Sequence, residues 1–373
     1  MIKVLFTQDT LANAGAERSH LEILSRFSPE TEVLFVYFYP KHQLLEAYQN
    51  AGIHVVFLNV PEPYHLSLAV KRLVKLIKQE QPDLIISSLW RSDIISRLAS
   101  LLTGVPIVGT LVNDSYSPIA WTDKKGLKYK FVYWLDRFTA VIPIQWIANS
   151  KALAYSHEKT LGLRMEKISI VYRGRKMPTN SWHPKSQIKN FVSYGRLLER
   201  KGFQDAILAF SQVQNQVPDD WTLTIFGEGP FRSELEKLLN SLGLEDKIKL
   251  PGKVVEPELL LPDYDCFIFP SWYEGFSGAL VEAMMAGIPI IASDISMNKE
   301  ALSHQESALI FKVNDHKDLS NKILYAIRNP EEMASLGRTS RIEAERRFEI
   351  GEISKEYETL LHSIHEKISL GRK

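Results

Sequence analysis

Short runs rich in β-branched and aromatic residues alternate with segments of helical period from Ile2 almost to the end of the chain, and no other feature narrows the fold so far. In the first half the runs are Ile2–Thr7, Glu32–Phe38, His54–Leu58, Leu84–Ser88, Pro106–Leu111, Trp146–Asn149 and Ile168–Val171. Helical stretches fall between them, such as Leu66–Gln79, whose Leu66, Ala69, Val70, Leu73, Leu76 and Ile77 recur at three and four. Asp83-Leu84-Ile85-Ile86-Ser87 is continuously apolar rather than alternating, which marks a parallel strand covered on both faces. The alternation predicts a doubly wound α/β sheet.

At Pro178–Lys185 the pattern resets in a stretch with two prolines and little periodicity, which reads as a linker. A second series follows: Phe191–Tyr194, Trp221–Phe226, Lys247–Leu250, Cys266–Phe269, Ile288–Ala292 and Ala308–Phe311. From about Asp315 the tail reads as helices broken near Asn329-Pro330 and Phe348–Gly351. We therefore expect domains over 1–180 and 181–345, and a last helical segment over 346–373. Ligands of open α/β sheets bind at the carboxyl ends of the strands, so two such domains would face each other across a central cleft.

Composition removes whole classes. The chain is 45% hydrophobic and 24% charged, yet its apolar runs fall short of the roughly 18 residues a spanning helix needs. Met1–Phe6 passes at once into polar Thr7-Gln8-Asp9, so no signal peptide is expected. A lone Cys266 excludes an internal disulfide or a cysteine zinc cluster and fits a reducing, cytoplasmic setting. Residues 1–185 carry 23 Lys and Arg against 15 Asp and Glu, while the remainder carries 22 against 29. A basic first half suits an anionic ligand, the inner face of a membrane, or attraction to the acidic second half. Nucleic acid is disfavoured, because no recognition module accompanies that basic half.

Three stretches carry chemistry. Gln8–Arg18 joins the first strand to a helix through Gly15 and small neighbours, a turn that lets backbone N–H groups approach a phosphate. Tyr194–Phe203 sets Arg196 and Lys201 between Gly195 and Gly202 at a strand's carboxyl end, a fork and a point charge placed for a diphosphate. Phe269–Glu282 runs from a strand through a Gly/Ser-rich turn into a helix. Backbone donors at Phe276, Ser277 and Gly278 would cradle a phosphate there, with Glu274 before the helix and Glu282 on its first turn or just after. Two acids around a phosphate nest make sense where the phosphate carries a sugar, whose hydroxyl pairs a carboxylate accepts.

On these residues the chain resembles the retaining, nucleotide-sugar-dependent glycosyltransferases of family 4, which have the GT-B fold. The most specific part of the resemblance is the pair Glu274 and Glu282, with seven residues between them, inside and after Pro-Ser-Trp-Tyr-Glu-Gly-Phe-Ser. Gly195-Arg196-Leu197 with Lys201-Gly202, Phe226-Gly227-Glu228-Gly229-Pro230, Pro251-Gly252-Lys253-Val254, Ala286-Gly287-Ile288-Pro289 and Gly15-Ala16-Glu17-Arg18 resemble further signatures, so that the likeness covers nearly the whole chain.

The resemblance implies a fold of two Rossmann-like domains, with the last helix crossing back to the first. It implies that Arg196 and Lys201 bind the donor diphosphate, Glu282 the ribose and Glu274 the transferred sugar. Phe276, Ser277 and Gly278 would offer N–H groups to the phosphates, Gly15 likewise from the other domain, and Gly195, Gly252 and Val254 would complete the donor site. It further implies transfer of a hexose-type sugar to a hydroxyl acceptor (a glycan, a lipid-linked or anionic molecule, or a small one) with retention, no cofactor and no metal. Electrostatic stabilisation of the leaving diphosphate, rather than a tuned base, is the demand.

The chain departs from the family pattern at three places. Ala14 stands where a second glycine is usual. Gly109–Asp114 lacks the histidine that members often carry after the fifth strand, so Asn113 or Asp114 would take its place in the acceptor pocket. Val171-Tyr172-Arg173-Gly174-Arg175 replaces the usual Asn-Gly, and Arg173 and Arg175 would either face the cleft or be solvated linker residues.

Asp263-Tyr264-Asp265 spells the metal-binding motif of other glycosyltransferases, but it precedes a buried-looking strand at its amino end, and we expect no metal there. Trp121–Trp134 mixes four lysines with aromatics. An amphipathic helix packing its aromatics inward is the expectation, and a helix resting on an anionic bilayer with snorkelling lysines is the alternative. Two other functions share the scaffold: a sugar-nucleotide epimerase or hydrolase, and a non-catalytic sugar-nucleotide or glycan binder.

Overall fold

The computed structural model describes residues 1–62, 65–121, 126–218 and 220–371. The chain forms two compact units, Met1–Gly174 with Ile350–Lys373, and Arg175–Glu349.

The first unit contains, in order, β1 (Ile2–Gln8), α1 (Gly15–Leu24), β2 (Thr31–Tyr37), α2 (Leu45–Asn50), β3 (His54–Phe57), α3 (Leu66–Glu80) and β4 (Leu84–Ser88). It continues with α4 (Trp90–Thr103), β5 (Ile107–Leu111), α5 (Pro118–Trp121), α6 (Leu127–Thr139), β6 (Gln145–Ala148), α7 (Lys151–Leu161) and β7 (Ile168–Ile170). The sheet is seven-stranded in the order β3-β2-β1-β4-β5-β6-β7, with every pairing parallel. β1 pairs Phe6 with Phe35 of β2 on one side and with Ile86 of β4 on the other.

The second unit runs β8 (Asn190–Tyr194), α8 (Phe203–Val213), β9 (Thr222–Phe226), α9 (Arg232–Leu242), β10 (Ile248–Gly252), β11 (Cys266–Phe269) and α10 (Gly278–Ala286). Then come β12 (Ile290–Ser293), α11 (Ser296–Ala301), β13 (Leu309–Phe311), α12 (His316–Arg328) and α13 (Pro330–Phe348). Its sheet is six-stranded and parallel, in the order β10-β9-β8-β11-β12-β13. Phe191, Phe210, Trp221 and Ile268 stand in its core.

The last helix, α14 (Ile350–Gly371), belongs to the first unit. Ile350, Ile353, Tyr357, Leu361 and Ile364 repeat at three and four and join the core that holds Val4, Phe6 and Ile86. Glu358 fixes its rotation, accepting from Ser28 N–H at 2.9 Å and from Thr31 Oγ1 at 2.6 Å. Each of these apolar side chains stabilises the unit by about 1.5–3 kcal/mol when fully buried.

The structure moves both domain boundaries expected from sequence, to 174/175 and 349/350. The stretch 178–185 is no free linker. Trp182 is buried in the second unit, where its backbone N–H donates to Ala286 O at 3.0 Å and its indole N–H to Tyr264 O at 2.8 Å. A tryptophan that packs and satisfies both donors belongs to a core, whatever the prolines around it signal.

Candidate functional site

All strands of the second sheet point the same way, so the loops leaving their carboxyl ends gather on one edge. Strand order reverses between β8 and β11, and the loops after these two strands turn to opposite sides, which is where doubly wound sheets bind ligands. Arg196 and Lys201 lie on the first loop and Glu274 on the second, with Glu282 on the helix that follows it.

Gly202 lets the two loops meet. Its φ is +68°, and a Cβ there would lie 2.1 Å from Pro270 O. Trp272 N–H donates to Arg200 O at 2.8 Å, and the Trp272 indole donates to Asp205 Oδ2 at 2.6 Å on the first turn of α8. This clamp sets Lys201 Nζ in an ion pair with Glu274 Oε1, which also accepts from Ser271 Oγ at 2.9 Å. Burial alone would raise the Glu274 carboxyl. The Lys201 ammonium, with Arg200 and the Ser271 hydroxyl behind it, outweighs burial and holds the carboxyl below its usual range. Arg196 is exposed at the head of the same loop.

Glu282 sits on the second turn of α10 and has two partners. Arg175 Nε donates to its Oε1 at 2.6 Å, and Tyr194 OH donates to its Oε2 at 2.9 Å. Burial and the adjacent carboxylate raise the Tyr194 phenol well above its ordinary value, so it stays a donor. Of the two expectations for Arg175, the solvated linker cation is thus overturned. Arg175 is buried, and at Gly278 a Cβ would lie 2.1 Å from its Nη2. Glycine at the start of α10 makes room for the guanidinium.

The remaining residues of this group fall on the same edge. Gly195 follows β8 and donates its N–H to Phe226 O at 3.0 Å, and Gly252 ends β10, its carbonyl accepting from Gly227 N–H at 2.8 Å. Val254 is half-buried beyond it. Phe276 is buried with its ring 5.2 Å from that of Phe348. Ser277 is the N-cap of α10 and Gly278 its first residue, and the Ser277 side chain makes no cap bond. Asp265 accepts the backbone N–H groups of Lys189 and Asn190 at 2.9 and 2.8 Å, a structural task that accounts for its burial. Among the described residues no three His, Cys, Asp or Glu side chains gather as a metal site requires.

In the first unit Gly15 is the exposed first residue of α1, and a Cβ on it would lie 3.9 Å from Arg173 Nη1. Arg173 also bears on His20, which is buried with Nδ1 2.8 Å from Gln8 Oε1. Burial first, then the Arg173 charge, lower the His20 imidazole to about 4. Asn113 is exposed in the loop after β5, whereas Asp114 is buried and accepts from Ser156 Oγ at 2.6 Å.

Two family models match the chain, Glycosyltransferase Family 4 over residues 14–176 and Glycosyl transferases group 1 over residues 179–343. The chain belongs to the family 4-like glycosyltransferases. An uncharacterized glycosyltransferase of Methanocaldococcus jannaschii is 26% identical over 62% of this chain and 60% of its own length, so the chain spans under two thirds of that relative. The UDP-Gal:alpha-D-GlcNAc-diphosphoundecaprenol alpha-1,3-galactosyltransferase of Escherichia coli is 26% identical over 68% of each chain. HepE of Anabaena, solved in complex with UDP-glucose, superposes with a TM-score of 0.83 at 20% identity over 97% of this chain and 100% of its own. That likeness establishes the GT-B fold.

Sequence reasoning missed three residues of this candidate site and the place of a fourth. Tyr194 and Ser271 read as strand and turn residues, and Trp272 as part of a motif. Arg175 was visible as a cation, but its partner lies 107 positions away. Only the glycine at 278 signalled the space that Arg175 fills.

Proposed function

We propose that this glycosyltransferase moves a hexose-type sugar from a nucleoside diphosphate sugar to a hydroxyl acceptor, with retention and without a metal. The observation that carries the reading is the meeting of the β8 and β11 loops, which pairs Lys201 with Glu274 at the switch point of the second sheet. An ammonium has three donors, so the pair leaves Lys201 donors for a phosphate.

In the reaction the bond between the anomeric carbon and the diphosphate oxygen breaks, and its electrons go to the diphosphate. Arg196 and Lys201 take up that charge, with the backbone donors at Phe276–Gly278. The acceptor oxygen bonds to the anomeric carbon on the same face, and its proton passes to the departing phosphate oxygen. Glu274 holds sugar hydroxyls and Glu282 those of the ribose. Gly195, Gly252 and Val254 border the nucleotide. In the first unit Gly15 faces phosphate, and Asn113, Asp114 and Arg173 belong to the acceptor side.

HepE, which binds UDP and UDP-glucose, supports the donor class. The Escherichia coli relative, whose acceptor is a diphosphoundecaprenol-linked sugar, supports a lipid-linked acceptor, and the basic first half suits its handling at the inner face of a membrane. A panel of nucleotide sugars tested for thermal stabilisation, with and without EDTA, identifies the donor. We expect one class to raise the melting temperature equally in both buffers, and NMR of the product to show the donor's anomeric configuration. Stabilisation abolished by EDTA, or an inverted product, defeats the corresponding part of the reading.

A further inference from the structure

We propose that the outer face of α6 in the first unit is a docking surface for an anionic lipid bilayer. The inference deepens the membrane part of the proposed function by naming the surface, and it is testable apart from sugar transfer.

The expectation of inward-packed aromatics holds for Tyr133, whose ring centre lies 5.3 Å from that of Tyr116, and is overturned for Phe131 and Trp134. Phe131, Trp134 and Phe138 are 69%, 49% and 71% exposed, and Leu127 is 83% exposed. At about 100° per residue these four side chains fall within an arc of roughly 60°. Trp134 and Phe138 stack with ring centres 5.5 Å apart, forming one apolar ridge. The residues Thr122–Lys125, with two of the four lysines counted in the sequence, lie outside the described residues.

The opposite face of α6 is fixed in place by buried polar contacts, beside the packed ring of Tyr133. Asp136 is buried and accepts from Arg97 Nη1 at 2.6 Å and from Tyr116 OH at 2.5 Å. Thr139 Oγ1 accepts from the same guanidinium nitrogen at 2.9 Å. Tyr133 OH and Arg137 Nη1 donate to Thr160 O at 2.7 and 2.9 Å. Arg97 is itself 1% exposed, so rolling the helix to bury its aromatics would strip a buried cation of its carboxylate. A helix locked to the protein through Asp136 and Thr139 while an apolar ridge faces out is built for an apolar partner.

Charge identifies that partner. Lys128 and Lys130 are exposed on the flanks of the ridge, and Asp136, the one acid in α6, is buried. On α7, which α6 grips at Thr160, the exposed Lys151, Tyr155 and Lys159 stand four residues apart. Leu101 and Leu102 at the end of α4, and Val141 just past α6, are also exposed, at 64%, 66% and 77%. Aromatics in a rim of lysines match the boundary between acyl chains and anionic headgroups. A two-fold contact with a second copy would instead bring the lysine rims together. Among the described residues no helix is long and apolar enough to cross a membrane, so this contact is interfacial.

Co-sedimentation of the full chain with vesicles tests the proposal. The protein is expected to bind vesicles of phosphatidylcholine mixed with phosphatidylglycerol in a salt-sensitive manner, and to bind pure phosphatidylcholine vesicles more weakly and without that sensitivity. The double variant F131S/F138S removes outward side chains only, and its partition should fall roughly tenfold or more. K128E/K130E should lose a similar factor on anionic vesicles alone. Circular dichroism and sedimentation velocity of the variants accompany the assay. Failure of the wild type to bind anionic vesicles, undiminished binding by F131S/F138S, or a wild-type dimer that this variant disperses would each overturn the surface. Thermal stabilisation by the nucleotide sugar should be the same in all three proteins. Its absence with vesicle binding intact would defeat the donor reading and leave the membrane face standing.

Discussion

Arg175 reaches over the first residue of α10 and donates from Nε to Glu282 Oε1 at 2.6 Å, with only 9% and 15% of the two side chains exposed. The contact joins the start of the second unit to the helix that carries one of its two signature acids. It orients Glu282 from one side while Tyr194 does so from the other, and the second lone pair of each carboxylate oxygen can accept a further donor, the proposed ribose hydroxyls.

Gly278→Ala tests this arrangement with one methyl group. A Cβ at 2.1 Å from Arg175 Nη2 forces the guanidinium aside, and overpacking of this kind costs about 1–3 kcal/mol. We expect a lower melting temperature and, if Glu282 grips the ribose as proposed, a raised donor KM, because that acid loses its orientation. Arg175→Ala should be worse still, with a loss of about 3–5 kcal/mol for a buried carboxylate deprived of its partner. Wild-type stability and donor KM in Gly278→Ala would remove the argument.

Arg196 and Lys201 should separate activity from stability. Replacing either by Ala is expected to lower turnover by about 10²–10³, as for loss of one transition-state donor. Arg196 is exposed, so Arg196→Ala should stay within about 0.5 kcal/mol of wild-type stability. Lys201→Ala leaves the Glu274 carboxylate without its cation and should unfold at lower denaturant as well. Chemical denaturation beside single-turnover rates reads both quantities. Equal stability of the two variants would show that the Lys201–Glu274 pair carries no structural load.

Glu274 gives the second unit an acid-sensitive contribution. Its carboxyl titrates lower in the folded chain than its ordinary 4.5, so the contribution is complete above 4.5 and is lost as pH falls through the folded value. Unfolding curves at a series of pH values should show a steady gap between wild type and Glu274→Gln above 4.5 that narrows as pH falls below 4.5 toward the folded value. A constant difference across that range would contradict the charge assignment.

The strands were legible because parallel strands buried on both faces are written as unbroken apolar runs. β4 and β11 carry that signature residue for residue, and the helix breaks near Asn329 and Phe348 follow from proline and loss of period. Relations across long sequence separation were not legible. The apolar period of α6 announced a stripe, but its direction is set by Arg97, which lies 39 positions from Asp136. The 178–185 stretch had a linker's composition, yet Trp182 docks on residues 82 and 104 positions away. The loop residues Arg196, Lys201 and Glu274 stood out because charge at the carboxyl end of a buried strand has no packing reason to be there.

His20 offers a prediction for the first unit. Its imidazole is held near 4 by burial and by the Arg173 charge, against an ordinary 6.5, so the folded chain keeps it neutral while the unfolded chain takes up a proton. The neutral ring therefore contributes stability that is complete above 6.5 and is lost as pH falls toward 4, on the order of 3 kcal/mol over the window. NMR should show the His20 ring proton shift unchanged down to about pH 5. Arg173→Gln removes the secondary cause, and the ring should then titrate at higher pH without reaching 6.5, because burial is the larger cause. His20→Gln should flatten the stability profile of this unit between pH 6.5 and 4. An imidazole that titrates near 6.5 in the wild type would mean that water reaches it, and that the Gln8–His20 contact opens in solution.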